Sequence, residues 1–325
     1  MSTPNKLEDD YRELDLEPGA SLEEVKSSYR ELALFWHPDQ FHDRPSRLPK
    51  AHQKMTRINL AYERIRKALA QKPPTRPAPP PARPANAHPR ENHRPQESRT
   101  NSLGMKFVSV AGTAVFFSIW ETRVQDYRAY SQAAGGVDGS WEDPGFWQTA
   151  AHPVVNVSWD DAKNFCIWLT EHERREGKLP AGAQYRLPTD AEWSWAVGIG
   201  DREGAGTPKE KGRRLKVIYP WGTQWPPPKG AGNYDPALGT DSFERTSPVG
   251  SFAANAQGLF DLGGNVWEWC EDFLDGTSGV HVLRGASWNF SGAGHLLSSY
   301  RNGGAPGAHS TGIGFRCVLA GVSGQ

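Results

Sequence analysis

The sequence predicts two unlike folds in one chain, a small all-α module followed by a larger α+β domain. Three observations carry this. The chain has 325 residues, more than one ordinary domain of roughly 100–200 residues requires. Thirty-three of the 34 glycines and 12 of the 13 tryptophans lie after residue 100. Apolar residues recur with a helical period up to about residue 70 and only in short bursts afterwards. The predicted division is 1–72, a spacer at 73–100, and 101–325.

In the first part, Ser21 precedes Val25, Tyr29, Leu32 and Trp36 at spacings of four, three and four, and Glu24 completes a capping box. This helix must end near Trp36, because Pro38 disfavours helical geometry in His37. Met55, Ile58, Tyr62, Ile65 and Leu69 repeat the period and offer a second apolar stripe to pack against the first. The expected result is an antiparallel helix pair with His37, Pro38 and Asp39 at the head of the connecting loop.

Residues 73–100 contain nine prolines, five arginines and almost no apolar bulk. Such a segment cannot bury enough surface to offset its ordering entropy, so an extended, semi-rigid tether is expected. In the third part, Ser158 heads SWDDAKNFCIWLTEH, where Ala162, Phe165 and Leu169 share a face, and Thr189 heads TDAEWSWAV with Glu192 three residues on. Strings such as VVNVSW and HVLRGASW sit between Gly, Asn, Asp and Pro clusters. They read as short strands separated by turns. Loops this long need anchors, and tryptophan side chains and bound ions are the expected ones.

Thirty-seven basic and 37 acidic side chains cancel, and the three parts carry nets of +1, +3 and −4. No field is available to attract nucleic acid or an acidic membrane surface, so neither is an expected partner. The start, MSTPNKLEDDYREL, lacks the basic and apolar regions of a signal peptide, and no run of some 18 apolar residues occurs, so a cytoplasmic location is expected. Cys166, Cys270 and Cys317 show no metal-type spacing and are read as free, buried thiols.

DDYRELDLEPGASLEEVKSSYRELALFWHPDQ followed by RINLAYERI resembles the J-domain of DnaJ-type co-chaperones. The resemblance implies that His37, Pro38 and Asp39, with Lys26 and Arg30 on one face of the preceding helix, engage a DnaK-type chaperone and stimulate its ATP hydrolysis. Ser27, Ser28 and Glu31 interrupt that basic face, and Gln40 stands where the family commonly has lysine.

YRLPTDAEWSWAV, YPWG, SPVGSFAANAQGLFDLGGNVWEWCED, VLRGASW and IGFRCV, in that order, resemble the formylglycine-generating-enzyme (sulfatase-modifying factor) domain, a variant of the C-type-lectin fold. That family includes copper oxidases, iron-dependent enzymes and non-catalytic binders. Its oxidases use a cysteine pair after the RGGS-type strand, whereas Asn289 to Arg301 has none, so copper is not expected. A metal-dependent oxidoreductase with a diverged site stays open as the alternative to a binder. The resemblance also implies calcium, a hard cation held by oxygen donors. Asn233 and Asp241 would serve one site, with carbonyls from Tyr234 and Phe243, and Asp261 and Glu268 a second.

Between LRGASW and IGFR lie 24 residues without Lys, Glu, Gln, Met or Trp, types that make up 60 of the 325. At the chain's own composition such a gap arises roughly once in a hundred draws. Those are the residues that codons ending in cytosine cannot encode. The segment is similar to the variable region of diversity-generating retroelement target proteins, where adenine-directed errors rewrite the ligand-facing end of a C-type-lectin-type domain. The resemblance implies a binding surface of Phe290, Ser291, Gly292, Gly294, His295, Tyr300, Asn302, Gly303, Gly304, His309, Ser310 and Thr311 for an unnamed ligand, with Leu296, Leu297 and Arg301 as scaffold. An undiversified binding loop of the same fold is the plainer alternative, since glycine-rich loops lack Lys and Glu without special genetics.

Overall fold

The computed structural model describes residues 6–14, 25, 29, 48–71, 97–212, 214–277 and 279–322. The chain divides into two compact units, residues 1–88 and 89–325.

The first unit is built on helices α1 (Lys6–Glu13) and α2 (Leu48–Gln71). Ile58, Ala61 and Ile65 follow the helical period on α2 and bury their side chains against Tyr11, Leu14 and Val25. Burying each large aliphatic side chain contributes about 1.5–3 kcal/mol, which makes this stripe the source of the unit's cohesion. Tyr29 stacks on Tyr62 at 4.2 Å and donates to Asn59 Oδ1 at 2.9 Å. Around the rim, Glu13 pairs with Lys54 at 2.8 Å and Arg57 at 2.7 Å, and Asp10 with Arg64 at 3.1 Å. The expected stripes are therefore seen through Val25, Tyr29, Ile58, Tyr62, Ile65 and Leu69. Leu32, Trp36 and the side chain of Met55 lie outside the described residues. Helix α1 has no counterpart in the sequence reading, because KLEDDYRE is too charged to show a long apolar period.

The second unit holds two sheets. In the first, β1 (Ser98–Thr100), β2 (Lys106–Ser109), β3 (Phe116–Ser118), β9 (Val318–Ala320) and β4 (Gln184–Arg186) pair antiparallel in that spatial order. The second sheet runs β7 (Asn302–Gly304), β6 (His281–Arg284), β5 (Trp267–Phe273), β8 (Ile313–Gly314), and only its β5–β8 pairing is parallel. Strand β1 corrects the spacer's expected end at residue 100. Ser98 lies opposite Val108 and Thr100 opposite Lys106, and the polar SRT owes its place to backbone pairing, which leaves no apolar signature.

Helices α3 (Val124–Ala134), α4 (Trp159–Arg175), α5 (Asp190–Val197) and the single turn α6 (Pro208–Lys211) complete the unit. Ser158 caps α4, accepting from the Asp161 N–H while the Asp161 carboxylate accepts from the Ser158 N–H. Thr189 and Glu192 do the same for α5, which stops at left-handed Gly198 with φ 89°. Both capped helices agree with the sequence reading. Helix α3 escapes it because its N-cap is Arg123, whose N–H is accepted by the Asp126 carboxylate at 3.0 Å, and not the neighbouring Thr122.

The core is aromatic. Tyr127 and Tyr130 of α3 pack on Phe165 of α4, and Phe165 on Phe315 before β9. Two buried ion networks run through it. Arg316 pairs with Glu268, which also accepts from Trp193 Nε1 at 2.8 Å. Asp190 accepts from Arg284 and Arg301, and Arg301 also pairs with Glu203. The three cysteines are free and buried, with the sulfurs of Cys166 and Cys317 3.5 Å apart. Among the described residues no helix is long and apolar enough to cross a membrane.

Candidate ligand surface

The 289–312 segment leaves β6 through left-handed Gly285 and Ala286 and is pinned by the Trp288 N–H on the Asn265 carbonyl at 3.0 Å. Phe290 and Tyr300 then both pack on the buried ring of Trp267, at 5.1 and 5.9 Å between centroids. His295 sits edge-on to both, at 5.4 and 5.0 Å. Ser291, Gly292, Gly294 and His295 line the open side of this cluster, and Phe290 and Tyr300 are half-buried. Six of the twelve expected surface residues thus form one patch with an aromatic base.

Beneath the patch the chain is fixed. Leu296 is buried, the Ser298 N–H donates to the Ile218 carbonyl, and Ser299 Oγ donates to the Leu215 carbonyl at 2.6 Å. Arg301 enters the Asp190–Glu203 network, in keeping with its expected scaffold role. Burial pushes the Asp190 carboxyl up, but Arg284 and Arg301 outweigh it and hold the group below its ordinary value. Glu203 is likewise raised by burial and lowered further by its bond to Arg301.

Gly303 and Gly304 depart from the expected surface, while Asn302 beside them stays half-exposed. The three form β7 against β6, and a Cβ on Gly304 would run into Trp269 Cη2, one on Gly303 into Val280 Cγ1. Gly304 leaves no room for a side chain against the Trp269 ring, whereas Gly303 meets only the ends of the Val280 and Leu274 side chains. Asn302 turns its Oδ1 to the Gly303 N–H. His309, Ser310 and Thr311 make a second, separate group. His309 Nε2 lies 3.2 Å from Asp161 Oδ2. The Ser310 carbonyl accepts the Asn156 N–H at 3.0 Å, and the Thr311 carbonyl accepts Trp288 Nε1 at 3.1 Å.

Of the residues expected to bind calcium, Asn233 is fully buried and its Nδ2 donates to the Arg245 carbonyl and to Asn265, while its Oδ1 has no partner. Asp241 accepts from the Tyr234 and Phe243 N–H groups. An unpartnered amide oxygen is the type of donor that suits a hard cation. Asp261 accepts from the Gly250 N–H and has a second oxygen without a partner. Glu268 does not fit its expected part, because both its oxygens are engaged by Arg316 and one also by Trp193. A residue without a sequence signal joins it. Glu121 is fully buried and its carboxylate accepts from Asn265 Nδ2 at 2.7 Å. Burial, then Asp261 and Glu268, push Glu121 well above the usual carboxylate range, and burial raises Asp261 to about 6. The described residues contain no group of three or more His, Cys, Asp or Glu side chains arranged to hold a metal ion. Burial also holds the thiols of Cys166 and Cys270 protonated. Lys26, Arg30, His37, Pro38 and Asp39 lie outside the described residues.

Residues 90–320 match the family model of the sulfatase-modifying factor enzyme 1-like domain, and residues 9–70 that of the DnaJ domain. The chain is 35% identical over 199 residues to the inactive C-alpha-formylglycine-generating enzyme 2 of Bos taurus, an alignment covering 55% of each protein. It is 32% identical over 194 residues to the formylglycine-generating enzyme of Streptomyces coelicolor, covering 51% of this chain and 52% of that one. The chain thus spans about half the length of the curated relatives it matches. Treponema denticola variable protein 1 superposes with a TM-score of 0.49 at 19% identity, over 70% of this chain and 99% of its own. With its N-terminal DnaJ domain and a match spanning residues 90–320, the chain belongs to the sulfatase-modifying factor enzyme 1-like family.

Proposed function

We propose that this protein is a non-catalytic adaptor whose family domain captures a ligand through the 289–312 segment and whose J-domain recruits a DnaK-type chaperone, with a cytoplasmic location. One observation carries the reading. The residues that the composition gap singles out divide into open ones around His295 and buried ones that pin the loop from below. Rigid Phe290, Tyr300 and His295 supply contact area at low entropic cost, and Ser and Gly supply adaptability. The same segment carries no thiol, which argues against the copper chemistry of the family's oxidases. Retroelement-driven diversification accounts for the missing residue types, and it demands a near-copy of codons 287–316 that differs at adenines beside a reverse-transcriptase gene. A genome neighbourhood without that copy overturns the diversification.

Calcium would be held in this reading by Asn233 and Asp241, with Asp261 serving a second loop, and would supply positive charge that fixes the loops. Chelation should lower the melting temperature, and an unchanged melting curve overturns the calcium assignment. For the adaptor as a whole, His37→Gln should abolish stimulation of a DnaK-type ATPase while ligand capture by the head persists. Retained stimulation overturns the chaperone link, and stoichiometric copper or iron in the purified protein overturns the non-catalytic reading.

A further inference from the structure

From Lys211 to Tyr234 the chain carries five basic side chains and no acidic one, in a domain whose net charge is −4. Two of these cations are spent inside the fold. Lys211 lies 4.0 Å from Asp190, and the Arg214 guanidinium donates to the Glu203 and Ala205 carbonyls. Lys216 and Lys229 are exposed and form no ion pair among the described residues. The same loop holds two large apolar side chains that stand in solvent, Val217 at 64% exposed and Trp225 at 41%.

A lone exposed apolar residue is ordinary, but Val217 is exposed and strained at once. Its φ of 72° crowds a β-branched side chain, and such a conformation persists only where the surroundings over-determine it. Here they do. Ser299 Oγ donates to the Leu215 carbonyl at 2.6 Å and the Ser298 N–H to the Ile218 carbonyl at 2.8 Å, so Lys216 and Val217 stand between two fixed points, both supplied by the 289–312 segment. Just beyond, the Tyr219 and Gly222 backbones bond each other at 2.7 and 3.0 Å, and the Tyr219 ring carries Trp221 at 4.8 Å and Trp225 at 5.6 Å. Two residues of chain reach at most about 8 Å, so Lys216, Val217 and Trp225 gather around Tyr219 as one ledge fastened to the foot of the segment.

We infer that this ledge docks an acidic stretch of a protein ligand that also carries apolar side chains. Carboxylates meet Lys216 and Lys229, a charge-assisted pairing, and an apolar side chain lies on Val217 and Trp225. Charge complementarity selects this occupant. The 289–312 segment has no Asp, Glu or Lys, and its one arginine, Arg301, is buried in the ion network, so discrimination by charge must come from beside it. A nucleic-acid strand fits less well, because two free lysines on a domain of net −4 offer little to a polyanion. The inference rests on the head being a binder and names the chemistry of what it binds, through residues outside the segment.

The test titrates the full chain by calorimetry with acetyl-Glu-Glu-Leu-Glu-Glu-Phe-amide and with its analogue in which every Glu is Gln. The acidic peptide should bind saturably, and the Gln analogue at least about tenfold more weakly. Lys216→Gln combined with Lys229→Gln should bring the two peptides level, while Arg175→Gln on α4 should change neither. Val217→Asn should weaken the acidic peptide at least about fivefold without lowering the melting temperature, because asparagine enters the left-handed region readily; a valine kept for packing alone would show the opposite pair of effects. Equal affinity for the two peptides, parent-like binding by Val217→Asn, or no saturation by about 5 mM acidic peptide with the protein folded by circular dichroism overturns the inference. Tighter binding of a single-stranded oligothymidylate, or a parent dimer that Trp225→Ala dissolves in sedimentation, gives the ledge another occupant and overturns it equally. Capture through the 289–312 segment is a separate measurement, so its failure would remove the binder reading without mimicking any of these results.

Discussion

Single atoms decide which residues of the 289–312 segment tolerate a side chain. A Cβ on Gly294 would meet no atom within 4 Å, whereas one on Gly304 would collide with Trp269. Gly304→Ala should therefore cost about 1–3 kcal/mol, as overpacking does, and Gly294→Ala should stay within about 0.5 kcal/mol. Urea denaturation midpoints of the two variants check this, and equal midpoints would contradict the packing argument. His152 sets a pH limit. It is buried, its Nδ1 accepts the Thr149 N–H at 2.9 Å, and burial lowers its pKa from 6.5 to about 4. Its neutral form is favoured in the fold, so its contribution is complete above pH 6.5 and is lost as pH falls from 6.5 to 4. The loss is at most roughly 3 kcal/mol. Stability measured across that window should fall in the parent and flatten in His152→Asn, and parallel curves would refute the assignment.

Between elements, the buried Asp190–Arg284–Arg301–Glu203 network ties α5, β6 and the 289–312 segment together. Removing one cation leaves carboxylates uncompensated in a dry interior. Arg301→Ala should thus cost about 3–5 kcal/mol in thermal or urea melts, far more than any change among residues 291–295, and a loss below about 1 kcal/mol would mean that the network is not a keystone. This network also marks the limit of what is legible in the sequence. Ser158 and Thr189 announce α4 and α5 because a cap is written within four residues. The α2 stripe is legible for the same local reason. Helix α3, with Arg123 at its N-cap, and strand β1, made of Ser-Arg-Thr, carry no such local mark. In the candidate surface, the missing residue types point to a whole stretch, yet they cannot separate Gly294 from Gly304. That distinction depends on Trp269, 35 positions away in the chain from Gly304. Glu268 departs from its expected part for a similar reason, since its partner Arg316 arrives 48 residues later.

At the scale of the whole molecule, the compositional break near residue 100 coincides with a division into two compact units at residues 88 and 89. In the proposed adaptor, a tether would raise the encounter between whatever the two parts bind. The proposed tether has a sequence that makes the division testable by limited proteolysis. Within 72–99, Lys72, Arg76, Arg83 and Arg94 each precede a proline, whose ring and missing N–H block tryptic cleavage. Arg99 lies in the paired strand β1. Arg90 alone in this stretch is followed by an ordinary residue, Glu91, ahead of the strand. Brief trypsin treatment should therefore cut this stretch at Arg90 and release a fragment beginning at Glu91. That fragment should keep the near-ultraviolet circular dichroism expected of the packed aromatic core and melt as the same domain does in the full chain. First cuts inside 101–322, or a fragment that loses its aromatic signal, would mean that the family domain does not stand without the residues before it.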